Sequence, residues 1–282
     1  MRASLVLEVA RTVLSFEEEK LTLEETLFPF MSRRKPSLRV RFSFSKPPPE
    51  TEKLPFERKE SFQFYQIPKG ILIKVDPSTF EGAPRAILLN PPATEAIFFF
   101  TSRQRHSSFH LERLYVYLLI SHLLYRKRGL LVHASGVTDG EKGFLFVGRG
   151  GAGKSTIARL FFREKQGTVL GDDSVAVRRE EKKICIYGTP FGNASPFCSP
   201  KSTTLSSIFF LAHGEKNQLK PLSSKESLQR LFPEVRLPSR LPAILSSAAE
   251  SSLDLCTLIP AYELAFVPDE RVVSFLKSSL RF

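Results

Sequence analysis

The stretch Gly148-Arg149-Gly150-Gly151-Ala152-Gly153-Lys154-Ser155 constrains this chain more than any other, with four glycines in six positions followed by a lysine and a serine. Glycine lacks the Cβ that blocks left-handed backbone and close approach, so successive N–H groups in such a run can converge on one anion. The flanks agree with that reading. Phe144-Leu145-Phe146-Val147 is a short continuous apolar run, as in a strand buried on both faces, and Thr156 to Arg163 carries apolar residues at helical spacing. A glycine loop between a buried strand and a helix N-terminus makes a phosphate cradle, because the helix dipole favours anions there. On this reading Gly148, Arg149, Gly150, Gly151, Ala152, Gly153, Lys154, Ser155 and Thr156 contact a nucleotide, ATP. Lys154 supplies a mobile charge over the β- and γ-phosphates, and the Ser155 hydroxyl is placed to hold Mg²⁺.

Two further groups extend the pattern. Thr168-Val169-Leu170-Gly171-Asp172-Asp173 reads as a short apolar strand ending in paired carboxylates, one helix beyond the cradle. Phosphoryl transfer with Mg²⁺ needs such a pair, one group to hold the metal directly or through water and one to accept a proton from the attacking hydroxyl. Upstream, Leu130-Leu131-Val132-His133-Ala134-Ser135-Gly136-Val137 and the turn Asp139-Gly140 predict a hairpin into the cradle strand. That puts His133 on the neighbouring strand, within reach of the γ-phosphate region.

Composition narrows the class. The chain has 282 residues, enough for one large domain or two smaller ones. Its 25 phenylalanines, with no tryptophan and 2 methionines, assign much of the core packing to phenylalanine. Cys185, Cys198 and Cys256 are too far apart for a paired metal-ligand spacing and read as inert buried thiols. The net charge of +12 is scattered, and the small clusters Arg33-Arg34-Lys35 and Arg126-Lys127-Arg128 lack the aromatic interleaving of a nucleic-acid motif, so nucleic acid is not expected as a partner. The start reaches Glu8 too early for a secretory apolar region, and Leu114 to Leu124 is too short to span a bilayer. A cytoplasmic protein without a membrane partner is expected, with homo-oligomer formation left open.

The remaining periodicities outline the elements. Leu38 to Phe44, Phe62 to Tyr65, Ile71 to Val75 and Ala96 to Phe100 predict strands, giving residues 1–103 as a β-rich region with no chemical constellation of its own. From about Ser108 to Arg128 the period becomes helical, with Leu111, Leu114, Tyr115, Leu118, His122 and Leu123 on one apolar face and Gly129 as the stop. His122 is read as a hydrogen-bonded core histidine. Ser207 to Ala212 suits a strand, Ser223 to Phe232 and Leu241 to Leu258 suit helices, Tyr262 to Phe266 a strand, and Pro268-Asp269-Glu270 opens a last helix. Asp254 and Glu263 read as surface groups. The fold class expected is α/β: a nucleotide-binding domain over residues 104–282 behind the β-rich region.

The ordered set His133-Ala134-Ser135-Gly136-Val137, cradle and Leu170-Gly171-Asp172-Asp173 resembles the catalytic domain of HPr serine kinase/phosphorylase, a family that shares its nucleotide-site plan with the ATP-dependent phosphoenolpyruvate carboxykinases. The resemblance covers about Leu130 to Gly192. It implies that Lys154 neutralises phosphate, Ser155 and Asp173 hold the metal, Asp172 is the general base and His133 assists near the transferred phosphoryl. It also implies a serine hydroxyl of a small protein or peptide as acceptor. Thr156 stands where the family kinases usually have a glutamate, and the Arg-Gly-Leu-Gly type signature of the bifunctional enzymes is missing. Gly188 to Asn193 occupies the comparable region as a loop that could cover phosphates. These departures look more like the divergent HPr-kinase-like proteins, some of them associated with peptide-modification pathways. A small-metabolite kinase and a non-catalytic ATP-binding accessory protein are the alternatives.

Overall fold

Short apolar or alternating runs make nine strands among the described residues of the first hundred positions, and in the computed structural model these belong to one of two compact units, Met1–Leu123 and Leu124–Phe282. The structure describes residues 5–17, 21–50, 55, 57–59, 62–76, 84–101, 110–111, 113–164, 167–192 and 198–280. The architecture is mixed α/β, with strand-rich sheets in both units.

The first unit contains β1 (Leu5–Val9), β2 (Thr12–Phe16), β3 (Thr22–Leu23), β4 (Leu38–Ser43), β5 (Glu57–Lys59), β6 (Phe62–Ile67), β7 (Gly70–Val75), β8 (Ala86–Leu89), β9 (Glu95–Phe99) and β10 (His110–Leu111). Eight of them form a sheet in the order β1-β2-β4-β9-β8-β7-β6-β5, parallel at β2–β4 and β4–β9 and antiparallel elsewhere. The four strands expected from alternation are present as β4, β6, β7 and β9.

Helix α1 (Arg113–Arg126) differs from its expectation in two ways. Its apolar stripe is not confined to one face, because Val116, Leu119, Ile120 and Leu124 are buried as well as Tyr115, Leu118 and Leu123. The left-handed residue that ends it is Arg128, at φ 54°, while Gly129 already belongs to the next strand. The backbone of Leu111 lies in β10 rather than in the helix, and Ser108 lies outside the described residues. His122 is a core histidine: it is 2% exposed, its Nδ1 is 2.7 Å from the Leu118 carbonyl, and its ring lies 6.5 Å from that of Phe64.

The second unit runs β11 (Gly129–Val132), β12 (Ala134–Thr138), β13 (Lys142–Val147), α2 (Lys154–Arg163), β14 (Thr168–Asp172), β15 (Val175–Glu180), β16 (Lys183–Tyr187), β17 (Ser202–His213), β18 (Gln218–Leu222), α3 (Ser224–Leu231), α4 (Pro242–Leu258), β19 (Ala261–Phe266) and α5 (Arg271–Leu280). Its sheet has the order β11-β15-β16-β17-β13-β12-β14, and the second half of β17 also pairs with β19. The strands β13, β17 and β19 are parallel, whereas β12 is antiparallel to both β13 and β14.

Both faces of this sheet are covered, as a continuous apolar run requires. Leu145 and Val147 face a core shared with Leu231, Ile244, Ala248 and Leu255 of α3 and α4. Their neighbours Phe144 and Phe146 face the opposite core, with Ile157 and Phe161 of α2 and Val272 and Leu276 of α5. Phenylalanine dominates that second layer: Phe209 stacks on Phe146 at 5.2 Å and on Tyr262 at 5.9 Å, and Phe146 meets Phe161 at 5.8 Å. Asp254 and Glu263 lie at the surface in pairs with Arg179 and Arg230. No helix among the described residues is long and apolar enough to cross a membrane.

The cysteines separate by environment. Cys185 and Cys198 are half-buried rather than fully buried. Cys256 is 3% exposed in the α3/α4 core, and burial pushes its thiol up to about 12. A thiol that is not deprotonated at neutral pH is a poor nucleophile. Iodoacetamide at pH 8 is therefore expected to leave Cys256 unlabelled in folded protein and to modify it after denaturation. Equal labelling in both states, read by peptide mass spectrometry, would contradict this packing.

Candidate active site

Strand β13 delivers the glycine loop, and α2 begins directly at Lys154. The loop needs its glycines for different reasons. Gly151 and Gly153 are left-handed, at φ 80° and 99°. A Cβ on Gly153 would sit 2.6 Å from Cζ of Phe266, and one on Gly148 would sit 2.9 Å from Cβ of Ala152. At Gly150 and Gly151 a Cβ would meet nothing within 4 Å, so this side of the loop is open. The loop closes on itself through the Ala152 N–H to Arg149 carbonyl bond at 3.1 Å, and the Gly153 carbonyl accepts from the Ile157 N–H.

Lys154 is 8% exposed and donates from Nζ to the carbonyls of Gly148, at 2.5 Å, and Arg149, at 3.0 Å. Burial holds its pKa below the ordinary lysine value, opposed by the negative charges of Glu234, Asp173 and Asp172 and reinforced by Arg236. Ser155 and Thr156 follow in the first turn of α2, both half-buried.

The aspartates are set by β14 and the turn after it. Asp172 is the last residue of β14 and pairs across the ladder with Ser135, whose hydroxyl donates to Asp172 Oδ1 at 2.5 Å. Asp173 turns the chain toward β15 at φ 94°, a left-handed conformation that costs a non-glycine residue about 1–3 kcal/mol. Its carboxylate Oδ1 lies 2.8 Å from Nη2 of Arg236 and 2.9 Å from Nδ1 of His133. Half-burial alone would raise the Asp173 pKa. The His133 hydrogen bond and the charges of Arg236, His133 and Lys154 outweigh it and hold the carboxyl below its ordinary value.

His133 is not part of a strand. It occupies the single residue between β11 and β12, so the expected continuous strand from Leu130 to Val137 breaks there, while the β12–β13 hairpin forms with Gly140 left-handed at φ 109°. The break has a physical cause in the segment after α3. The His133 N–H donates to the Glu234 carbonyl at 2.7 Å, Val132 bridges Val235, and the Arg236 N–H donates to the Leu131 carbonyl at 2.8 Å. Nη2 of Arg236 also lies 2.6 Å from His133 Nδ1. A guanidinium only donates and a carboxylate only accepts, so Nδ1 either accepts from Arg236 when bare or donates to Asp173 when protonated.

The structure therefore brings His133, Asp173 and Arg236 into mutual contact and puts Asp172 against Ser135. The sequence gives no sign of Arg236 or Glu234, and it names Ser135 only within the His133 stretch, without a role. No local signal could have found Arg236, which reaches Asp173 from 63 positions downstream. The Gly188 loop packs on the aspartates: Thr189 Oγ1 donates to the Ser174 carbonyl at 2.7 Å, and a Cβ on Gly192 would lie 2.3 Å from the Asp172 carbonyl oxygen. Asn193 is outside the described residues. Among those residues no group of three or more His, Cys, Asp or Glu side chains could hold a metal on its own. A hydroxyl and one or two carboxylates still suit Mg²⁺, which keeps most of its waters and takes few protein ligands.

No protein-family model matches this sequence, and no curated protein matches it. Among solved structures, the HPr(Ser) kinase/phosphatase from Coxiella burnetii is similar over 54% of this chain and 92% of that one, at 11% identity and a TM-score of 0.32. That is a distant structural relationship, and the chemistry has to be read from the site itself.

The two left-handed glycines at 140 and 153 permit a controlled test of the cradle. Alanine at either is strained by φ, by about 1 kcal/mol or more, but only at 153 would it also strike Phe266. Gly153→Ala is expected to lower the melting temperature by several degrees more than Gly140→Ala. Equal shifts in the two variants would show that Phe266 does not brace the loop.

Proposed function

We propose that this protein is a Mg²⁺-dependent phosphotransferase that moves the γ-phosphoryl of ATP to a hydroxyl, with serine on a small protein or peptide as the acceptor. The observation that carries the reading is the glycine loop, open at Gly150 and Gly151 and leading directly into α2 at Lys154, on the same sheet as the strand that ends at Asp172 beside Asp173. Phosphoryl transfer depends chiefly on positioning and on stabilising charge, and a cationic loop facing carboxylates supplies both.

The environments of the two aspartates support a division of labour. Asp173 is gripped by Arg236 and His133, which disfavours its protonation and makes it a weak proton acceptor. It suits a metal-holding role together with Ser155, and Mg²⁺ bound there would offset phosphate charge. Asp172 is hydrogen-bonded by a neutral serine hydroxyl and suits the general base. In the proposed step the acceptor hydroxyl gives its proton to Asp172, its oxygen forms the bond to the γ-phosphorus, and the bridging P–O bond breaks with its electron pair leaving on ADP. Lys154 leaves the Gly148 and Arg149 carbonyls for the phosphates, and the loop N–H groups hold them. Arg236 fixes Asp173 and His133 in place.

The test is transfer from γ-labelled ATP with Mg²⁺ in a lysate of the source cell, followed by identification of labelled species. Label is expected on a discrete serine peptide, with a loss of about 100-fold or more in Asp172→Asn and of similar size in Lys154→Ala. Wild-type transfer by either variant would overturn the reading. Label confined to small molecules would replace the protein acceptor by a metabolite.

A further inference from the structure

We infer that Ser135 is a positioning residue for the proposed transfer, fixing the rotation of the Asp172 carboxylate so that Oδ2 is the oxygen presented to the acceptor proton; this rests on the reading of Asp172 as general base. Ser135 is fully buried in β12, the strand between the one that carries the glycine loop and the one that carries Asp172. Its ladder partners are Phe146 on β13 and Asp172 on β14. The serine thus ties the carboxylate to the strand that feeds the cradle.

Three features make this more than a satisfied core hydroxyl. A carboxylate can only accept, so the direction of the 2.5 Å bond is fixed, with the Ser135 proton on Asp172 Oδ1. That oxygen is then occupied, and the distance is in the range of charge-assisted O–H···O⁻ bonds, about 2.5–2.7 Å. The ladder between β12 and β14 also shifts register between Gly136 and Val137, one pair beyond Ser135 and Asp172, so that Leu170 has no ladder partner on β12. Bulges of this kind re-aim side chains and recur next to active sites. Here the shift lets the inner part of β14 keep its hydrophobic register while Asp172 stands opposite Ser135. Gly136 is needed at this point because a Cβ would press on both methyls of Val175, at 3.1 and 3.2 Å.

Ser135→Ala removes one oxygen from a buried site and leaves the ladder intact, so a purely structural role predicts only a change in stability. A positioning role predicts a change in turnover without a change in nucleotide affinity. With Mg²⁺ and ATP, and with water as the acceptor probe, Ser135→Ala is expected to lower kcat by about 10- to 100-fold and to leave KM for ATP within about twofold, with Ser135→Thr recovering most of the loss. Proton NMR supplies a readout independent of turnover: a slowly exchanging hydroxyl resonance is expected in the wild type and absent from both Ser135→Ala and Asp172→Asn. Wild-type kcat in Ser135→Ala beside an inactive Asp172→Asn would overturn the positioning role and leave the base intact. Full activity in Asp172→Asn would overturn the base, and the positioning role with it. A hydroxyl resonance that survives in Asp172→Asn would overturn the hydrogen bond itself.

Discussion

The contact between Arg236 and Asp173 is the interaction on which the rest of the site depends. It joins a strained turn after β14 to a segment that follows α3, and it traps His133 between them. A left-handed aspartate persists only where its surroundings over-determine it. Here the guanidinium, the imidazole and the packed Gly188 loop all act on that one residue. The backbone of Arg236 is itself held, since its carbonyl accepts from the Tyr125 hydroxyl at 2.8 Å and its N–H bonds to Leu131. These backbone bonds are modest alone, about 0.5–1.5 kcal/mol each, yet they fix the arginine whose guanidinium holds the Asp173 carboxylate.

The same sheet that builds the core aims the glycine loop. Strands β13, β17 and β19 run parallel, so their C-terminal ends lie together, and open α/β sheets bind ligands at that edge. The glycine loop leaves β13 there, and β19 ends at Phe266, whose ring lies against Gly153. The aromatic layer of Phe146, Phe209 and Tyr262 therefore continues up to the underside of the loop. Lys154 rests on its own loop carbonyls, those of Gly148 and Arg149.

What was legible in the sequence was local. Phe144 to Val147 announced a strand buried on two faces, and the glycine spacing and the apolar period after it announced the turn and helix, because each signal lies within a few residues of the structure it dictates. The strands at Leu38, Phe62 and Ile71 and the helix at Leu241 were readable for the same reason. What was hidden was set by distant partners. No proline or turn residue marks His133, which sits between Leu130-Leu131-Val132 and Ala134, and the pairing with residues 234 to 236 breaks the strand there. Arg236 sits in Phe232-Pro233-Glu234-Val235-Arg236, which carries no motif. The sequence shows only part of the buried surface of α1, because burial on several sides leaves no polar face to mark the period. Gly129 looked like a helix stop, yet Arg128 took the left-handed position while Gly129 lies against the Arg178 and Leu124 side chains.

The account stands on the claim that the loop before Lys154 is a polyphosphate cradle, and isothermal titration of the wild-type protein with ATP, ADP and AMP in the presence of Mg²⁺ tests that most directly. Recognition through loop N–H groups and Lys154 acts on the β- and γ-phosphates, so ATP and ADP are expected to bind and AMP to bind at least about 100-fold more weakly, each factor of ten being about 1.4 kcal/mol. Equal affinity for AMP and ATP, or no binding of ATP at millimolar concentration, would contradict the cradle and every role assigned around it.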